Sequence, residues 1–154
     1  MVESVEQHYG NAGIVDRIIG ALTQSGFDME NLDPDVLAGA DEFHIGGREG
    51  TVHVASAINL ADGDALLDVG CGIGGAARYL AHTTGASVTG VDLTPEFIEA
   101  AIKLSDLVGM GGQVDFKVGS ATELPFMDNM FDAVTMLHVG MNIEDKSQLM
   151  RELV

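Results

Sequence analysis

An α/β fold built on a parallel sheet is the class this sequence predicts, and three observations predict it. From Gly63 onward, short apolar runs alternate with helix-like tracts, the pattern of βαβ units. A turn carrying Gly70, Gly72, Gly74 and Gly75 follows the first of those runs and leads into an alanine-rich helical tract. An acid, Asp92, ends the next run about 24 positions after Asp68, close to where nucleotide-binding folds of this class place a ribose-holding acid.

Each element follows from local chemistry. "AGIVDRIIGALTQSG" puts Ile14, Ile18, Ala21 and Leu22 on one helical stripe closed by Gly26. "NLDPDVLAGADEFHIGG" reads as a polar connection, and "REGTVHVASAINL" as a second helix leading to the sheet. "ALLDV" (65–69) is the first strand, "GAARYLAHTT" (75–84) the helix after it and "SVTGVDL" (87–93) the second strand. Thr94 offers an N-cap and Pro95 a first helical position for a helix running to Gly109. "QVDFKVG" (113–119) alternates as a third strand, and "ELPFMDN" is a loop with Pro125 and a turn at Asp128 and Asn129. "FDAVTMLHV" (131–139) reads as a fourth strand, and "EDKSQLMRELV" (144–154) begins an amphipathic helix. Residues 1–62 are thus a helical cap or lid and residues 63–154 the core, within one structural domain. The fourth strand lies at an edge, and a long apolar edge invites cover by a second copy of the chain, a homodimer.

Composition narrows the function. The 154 residues are 46% hydrophobic and 20% charged, as in a folded globular chain. No run of about 18 apolar residues exists to cross a membrane, and the N-terminus is acidic where a signal peptide would be basic; a cytoplasmic protein with no membrane partner is expected. A net charge of −17 argues against nucleic acid as a partner, because gripping a phosphate backbone takes Lys and Arg. With Cys71 the only cysteine, neither an internal disulfide nor a multi-cysteine metal site can form. His8, His53 and His82 show no metal-ligand spacing, so no metal is expected.

The glycine turn satisfies two patterns. Gly70, Gly72 and Gly75 match the G-x-G-x-x-G of dinucleotide binders. Asp68, Gly70, Gly72 and Gly74 match the acid-x-G-x-G-x-G of S-adenosylmethionine binders. Asp68 tilts the choice, because a carboxylate there repels a pyrophosphate but suits the α-amino group of a methionine moiety. Asp92 serves ribose in either ligand, and Leu93 beside it is placed to pack on adenine.

The sequence resembles the class I S-adenosylmethionine-dependent methyltransferases. The residues that carry the resemblance are "LLDVGCGIGG", "VTGVDLTPEFIEAA", "VGSATELPFMDNMFDAV" and "LHVGMNIEDK", in order over residues 41–154. Within the class the chain looks most like small-molecule enzymes of the sarcosine/dimethylglycine N-methyltransferase and quinone or tocopherol C-methyltransferase kind. The resemblance implies a Rossmann-like sheet with N-terminal helices, here lacking the last strands of a seven-stranded sheet. It implies S-adenosylmethionine as cofactor and a small-molecule methyl acceptor as partner, with N, C or O the methylated atom. It places Asp68, Gly70 and Gly72 around the methionine part, Asp92 on the ribose, Leu93 against adenine, and Ser120 and Ala121 at the adenine edge, with Cys71 and Gly74 also counted among the cofactor-binding residues. Many relatives carry Asp where this chain has Ser120, a shorter and neutral acceptor.

Methyl transfer from a sulfonium is an in-line displacement that asks for alignment and exclusion of water, not for a catalytic triad. Ligands of open α/β sheets lie beyond the carboxyl ends of the strands, which brings "LHVGMN" (137–142) to the reaction centre. His138 is the candidate catalytic residue, either positioning the acceptor or taking its proton; the alternative is that only its backbone lines the cofactor site. Met141 and Asn142 are candidate substrate contacts, as is His44 on a loop that Gly46 and Gly47 let approach the cleft. Tyr9 is placed to close over the cofactor if the N-terminus folds back. Two other classes stay open: a nicotinamide-dependent oxidoreductase using the same glycines, and a non-catalytic binding or assembly module.

Overall fold

The computed structural model describes residues 13–42 and 44–154; Tyr9 and His8 lie outside the described residues. Four parallel strands, β1 (Ala65–Val69), β2 (Ser87–Asp92), β3 (Val114–Val118) and β4 (Ala133–Thr135), form one sheet in the order β3-β2-β1-β4. Four of the five β1 residues are buried, as in a strand covered on both faces. The chain runs outward from β1 to β2 and β3 and then crosses to β4 on the other side of β1. Strand order therefore reverses at β1, and the crevice beyond the strand ends there is where such sheets receive ligands.

Among the described residues five helices and two 3₁₀ turns surround the sheet before the C-terminal helix. α1 (Ile14–Gln24) buries Ile18 and Leu22, the stripe read from its spacing. A 3₁₀ turn (Pro34–Leu37) leads into a single helical turn, α2 (Ala38–Asp41), and then α3 (Gly47–Ala57). α4 (Gly75–Thr84) joins β1 to β2, and α5 (Pro95–Leu107) joins β2 to β3. A second 3₁₀ turn (Gly140–Asn142) precedes α6 (Lys146–Leu153), which Asp145 caps by accepting the Gln148 N–H. Leu66, Val88, Ala77, Leu80, Ala101 and Leu104 pack one face of the sheet, together with Leu37 and the α1 stripe. Leu67, Val69 and Val91 pack the other face beneath Phe126 and Phe131. No helix among the described residues is long and apolar enough to cross a membrane.

Three expectations need correction. The segment read as a polar connection is folded: Asp33 caps the 3₁₀ turn, Pro34 starts it, and Leu37 is fully buried. Its apolar residues are too few for a periodicity to show, and what fixes them is the core beneath. Strand β4 is three residues, not the expected nine, because the chain leaves the sheet after Thr135, which shrinks the apolar edge on which the homodimer expectation rested. Thr94 does sit at the N-cap of α5, but its side chain caps nothing; Asp92 Oδ1 accepts the Thr94 N–H instead, at 2.9 Å.

The N-terminal segment is tied to the core through charge. Arg78 of α4, 2% exposed, donates to Asp41 Oδ2 at 2.7 Å and to the Ile73 carbonyl at 2.9 Å. Its other terminal nitrogen reaches the Ser105 hydroxyl at 3.0 Å. Asp41 is 6% exposed, so this is a buried pair whose partners come from opposite ends of the fold.

Candidate functional site

A cleft of about 930 Å³ opens at the carboxyl ends of the strands, within the range of small-molecule sites. Asp68, Gly70, Cys71, Gly72, Asp92, Leu93, Ser120, Ala121, His138, His44 and Asn142 all line it. Residues spread from the loop before α3 to the turn before α6 are thus gathered at one place.

The glycine turn closes this cleft from below. The Gly70 and Cys71 N–H groups both donate to the Val91 carbonyl, at 2.7 and 3.1 Å, and the Gly72 N–H donates to Asp92 Oδ2 at 2.9 Å. These three donors are spent within the fold, so they do not form a free cradle for phosphate. A Cβ on Gly70 would fall 2.3 Å from Val139, so glycine is what lets the loop after β4 come down on the turn. Gly72 has a positive φ and nothing within 4 Å of an added Cβ, leaving open space on the cleft side.

Asp68 is the electrostatic centre. It is 2% exposed, and its Oδ1 accepts the Thr135 hydroxyl at 2.9 Å from the neighbouring strand. Oδ2 is buried with no hydrogen-bond partner. Burial pushes the carboxyl up to about 6, against the Thr135 hydrogen bond and nearby His44, which favour the charged form. A buried carboxylate with an orphaned oxygen facing a cleft is an unfavourable arrangement for folding and a ready partner for a cationic ligand group. Asp92 accepts two backbone N–H groups, one on each oxygen, and each oxygen keeps a lone pair for a hydroxyl donor. Burial and the two aspartates push the Cys71 thiol far up, so this cysteine is not a nucleophile near neutral pH.

At the rim, Leu93 is 71% exposed and lies in the cleft wall with Phe97, an apolar pair set for a planar ligand group. The Ser120 hydroxyl is engaged in its own turn, accepting the Thr122 N–H at 3.2 Å and sharing a 2.9 Å contact with the Thr122 hydroxyl. His138 adopts a left-handed φ of 56°, a costly conformation for a non-glycine residue that is often retained at sites. The loop that carries it is pinned by Lys146, which donates to the Gly140 and Ile143 carbonyls. His44 stacks on His138, with centroids 5.3 Å apart and planes 7° from parallel.

Two expected site residues are placed elsewhere. Gly74 is turned away from the cleft: its added Cβ would meet Phe116 at 2.7 Å and Arg78 at 2.9 Å, so this glycine serves the packing of α4 on the sheet. Met141 is 69% exposed and is not in the cleft wall, because the 3₁₀ turn sends it outward while Asn142 faces in. Sequence reasoning missed Asp41, Phe97 and Thr135. Phe97, like Asp41 and Thr135, carries no local signal: Leu93 precedes the Thr94 N-cap of α5, so no helical spacing links Leu93 to Phe97. Among the described residues no cluster of His, Cys, Asp or Glu could hold a metal ion.

The open parallel sheet thus carries at its switch point a glycine turn, an acid with one orphaned oxygen and an acid that keeps free lone pairs. Residues 67–154 match the family model described as a methyltransferase domain, and the chain belongs to that family. It is similar to a probable chloroplastic tocopherol O-methyltransferase of Oryza sativa subsp. japonica, 43% identical over 57% of this chain and 24% of that protein. It is also similar to the ajmaline N-methyltransferase of Rauvolfia serpentina, 36% identical over 58% of this chain and 31% of that one. The chain therefore spans less than a third of the length of either relative. Among solved structures, phosphoethanolamine N-methyltransferase 2 of Haemonchus contortus, in complex with phosphomonomethylethanolamine and S-adenosylhomocysteine, superposes with a TM-score of 0.69. It is 28% identical and covers 77% of this chain and 28% of that one.

Proposed function

We propose that this chain binds S-adenosylmethionine and serves methyl transfer to a small-molecule acceptor. One observation carries the reading: Asp68 Oδ2 is buried and unpartnered at the cleft, while the N–H groups of Gly70, Cys71 and Gly72 are already consumed. That combination suits an ammonium and disfavours a pyrophosphate. That relatives are methyltransferases of tocopherol and of ajmaline supports a small acceptor.

When bound, S-adenosylmethionine supplies an activated methyl group. Asp68 holds the α-amino group and Asp92 the ribose hydroxyls; Leu93 and Ala121 flank adenine, and Ser120 reads its edge. Gly70, Cys71 and Gly72 shape the floor through their backbone. His138 faces the acceptor, orienting it or taking its proton, with His44 and Asn142 beside it. The described part of the N-terminal segment, residues 13–42 and 44–62, serves as a cap on the core, a role supported by Asp41 and His44 reaching the cleft.

Calorimetric titration with S-adenosylhomocysteine, with NADH as control, tests this. Saturable binding of the first and none of the second is expected, with affinity highest from about pH 7 up to where the ligand's own amine loses its proton. An ammonium partner favours ionised Asp68, so affinity should fall as pH drops through about 6, where the free carboxyl takes up its proton. Binding of NADH alone would point to an oxidoreductase, and a folded chain that binds neither would point to an assembly module.

A further inference from the structure

We propose that His44 is a positioning residue of the cleft: its ring, carrying a proton on each nitrogen, lies face to face with His138 and keeps that imidazole neutral and oriented as the proton acceptor. This rests on the methyl-transfer reading above.

Hydrogen-bond accounting assigns the protons on His44. Its Nδ1 lies 3.3 Å from the Ile45 carbonyl oxygen, which can only accept. Its Nε2 lies 3.1 Å from the Thr51 hydroxyl oxygen. The single proton of that hydroxyl is committed to Glu42 Oε2, at 2.6 Å, so toward His44 the oxygen accepts. Both ring nitrogens therefore face acceptors, and only a doubly protonated imidazole donates through both. Compensating charge is at hand: the Glu42 side chain is fully buried and its Oε2 lies 3.6 Å from Nε2. Arg48 pairs with the other Glu42 oxygen, leaving that carboxylate fixed in place.

The groups that face His44 come from three parts of the fold. Glu42 and Arg48 lie on its own segment, Asp68 acts on it from β1, and His138 stacks on it from the loop after β4. Asp68 and Glu42 attract a positive ring; Arg48, which Glu42 and Asp35 both neutralise, opposes it only in part, whereas an unneutralised positive ring on its face would be repelled. A doubly protonated His44 thus leaves His138 without its second proton. Among the described residues the His138 ring makes no hydrogen bond, so the stack is the contact that sets its plane. Through Asp68 on one side and His138 on the other, His44 couples the cofactor end of the cleft to its acceptor end.

Long-range ¹H–¹⁵N spectra of the free 154-residue chain between pH 5.5 and 8.5 test this, with the two rings assigned from His44→Gln and His138→Gln. At pH 7 His44 should show two protonated nitrogens and His138 one protonated and one bare. In His44→Gln the doubly protonated share of His138 at pH 7 should rise, because a like charge has gone. A bare nitrogen on His44 at pH 7, or an unchanged His138 in His44→Gln, overturns the proposal; a purely structural His44 would give that second result. If His44→Gln does not fold, His44→Asn supplies the assignment and the comparison in its place. Parallel titration with S-adenosylhomocysteine separates the two readings, since a wild-type chain that binds none of it overturns the methyl-transfer site while the ring protons are still read directly.

Discussion

Asp68→Asn is expected to make the chain more stable while weakening S-adenosylhomocysteine binding by about 100-fold, the worth of one charge-assisted hydrogen bond. The stability half follows from burial. Asn keeps an oxygen to accept the Thr135 hydroxyl and removes a charge that no partner offsets on Oδ2. A folded carboxyl held at about 6, against about 3.9 in the unfolded chain, makes ionisation oppose folding at neutral pH by up to about 3 kcal/mol. The sign is that of a raised acid: its contribution is fully present below the unfolded value and is lost as pH rises through the folded one. The gain in Asp68→Asn should therefore be about 1–3 kcal/mol in urea unfolding at pH 7.5 and should shrink toward zero by about pH 4. A variant that is both less stable and weaker binding would show that Asp68 is a structural turn residue.

Arg78→Met should be the most damaging single change outside the cleft, costing about 3–5 kcal/mol, because it leaves Asp41 buried without its partner. It also strips donors from the Ile73 carbonyl and the Ser105 hydroxyl. Burial pushes the Asp41 carboxyl up even with Arg78 present, so desolvation already outweighs the pair's attraction. Two consequences can be measured. The Asp41→Leu/Arg78→Met double variant should be more stable than Arg78→Met alone, with a coupling of about 1–3 kcal/mol in a double-mutant cycle. Arg78→Met should also lose less stability relative to wild type at pH 5 than at pH 8, since protonating the stranded Asp41 relieves its buried charge. An additive cycle with no pH dependence would mean that Arg78 acts by packing alone.

The parts of the site legible in the sequence are those fixed by neighbours in the chain. The glycine turn was readable because positive φ and close approach are demands on single residues, and Gly70 and Gly72 meet them. Gly74 looked like its neighbours in the pattern yet serves a contact with Phe116, which lies on β3. No spacing rule distinguishes a glycine that admits a ligand from one that admits a side chain.

By itself the sequence determined the succession of the four strands and the long helices, the acids at the carboxyl ends of β1 and β2 and the net charge, because period, caps and composition are local quantities. Only the tertiary structure decided that "NLDPDVLAGADEF" folds, since Leu37 and Asp41 are held by a core and an arginine far along the chain. It also decided that Asp68 has one satisfied oxygen and one orphan, because parallel pairing sets Thr135 beside it. The stacking of His44 on His138 has the same origin: two loops with no shared pattern meet only because the sheet reverses its order at β1 and draws both to one crevice.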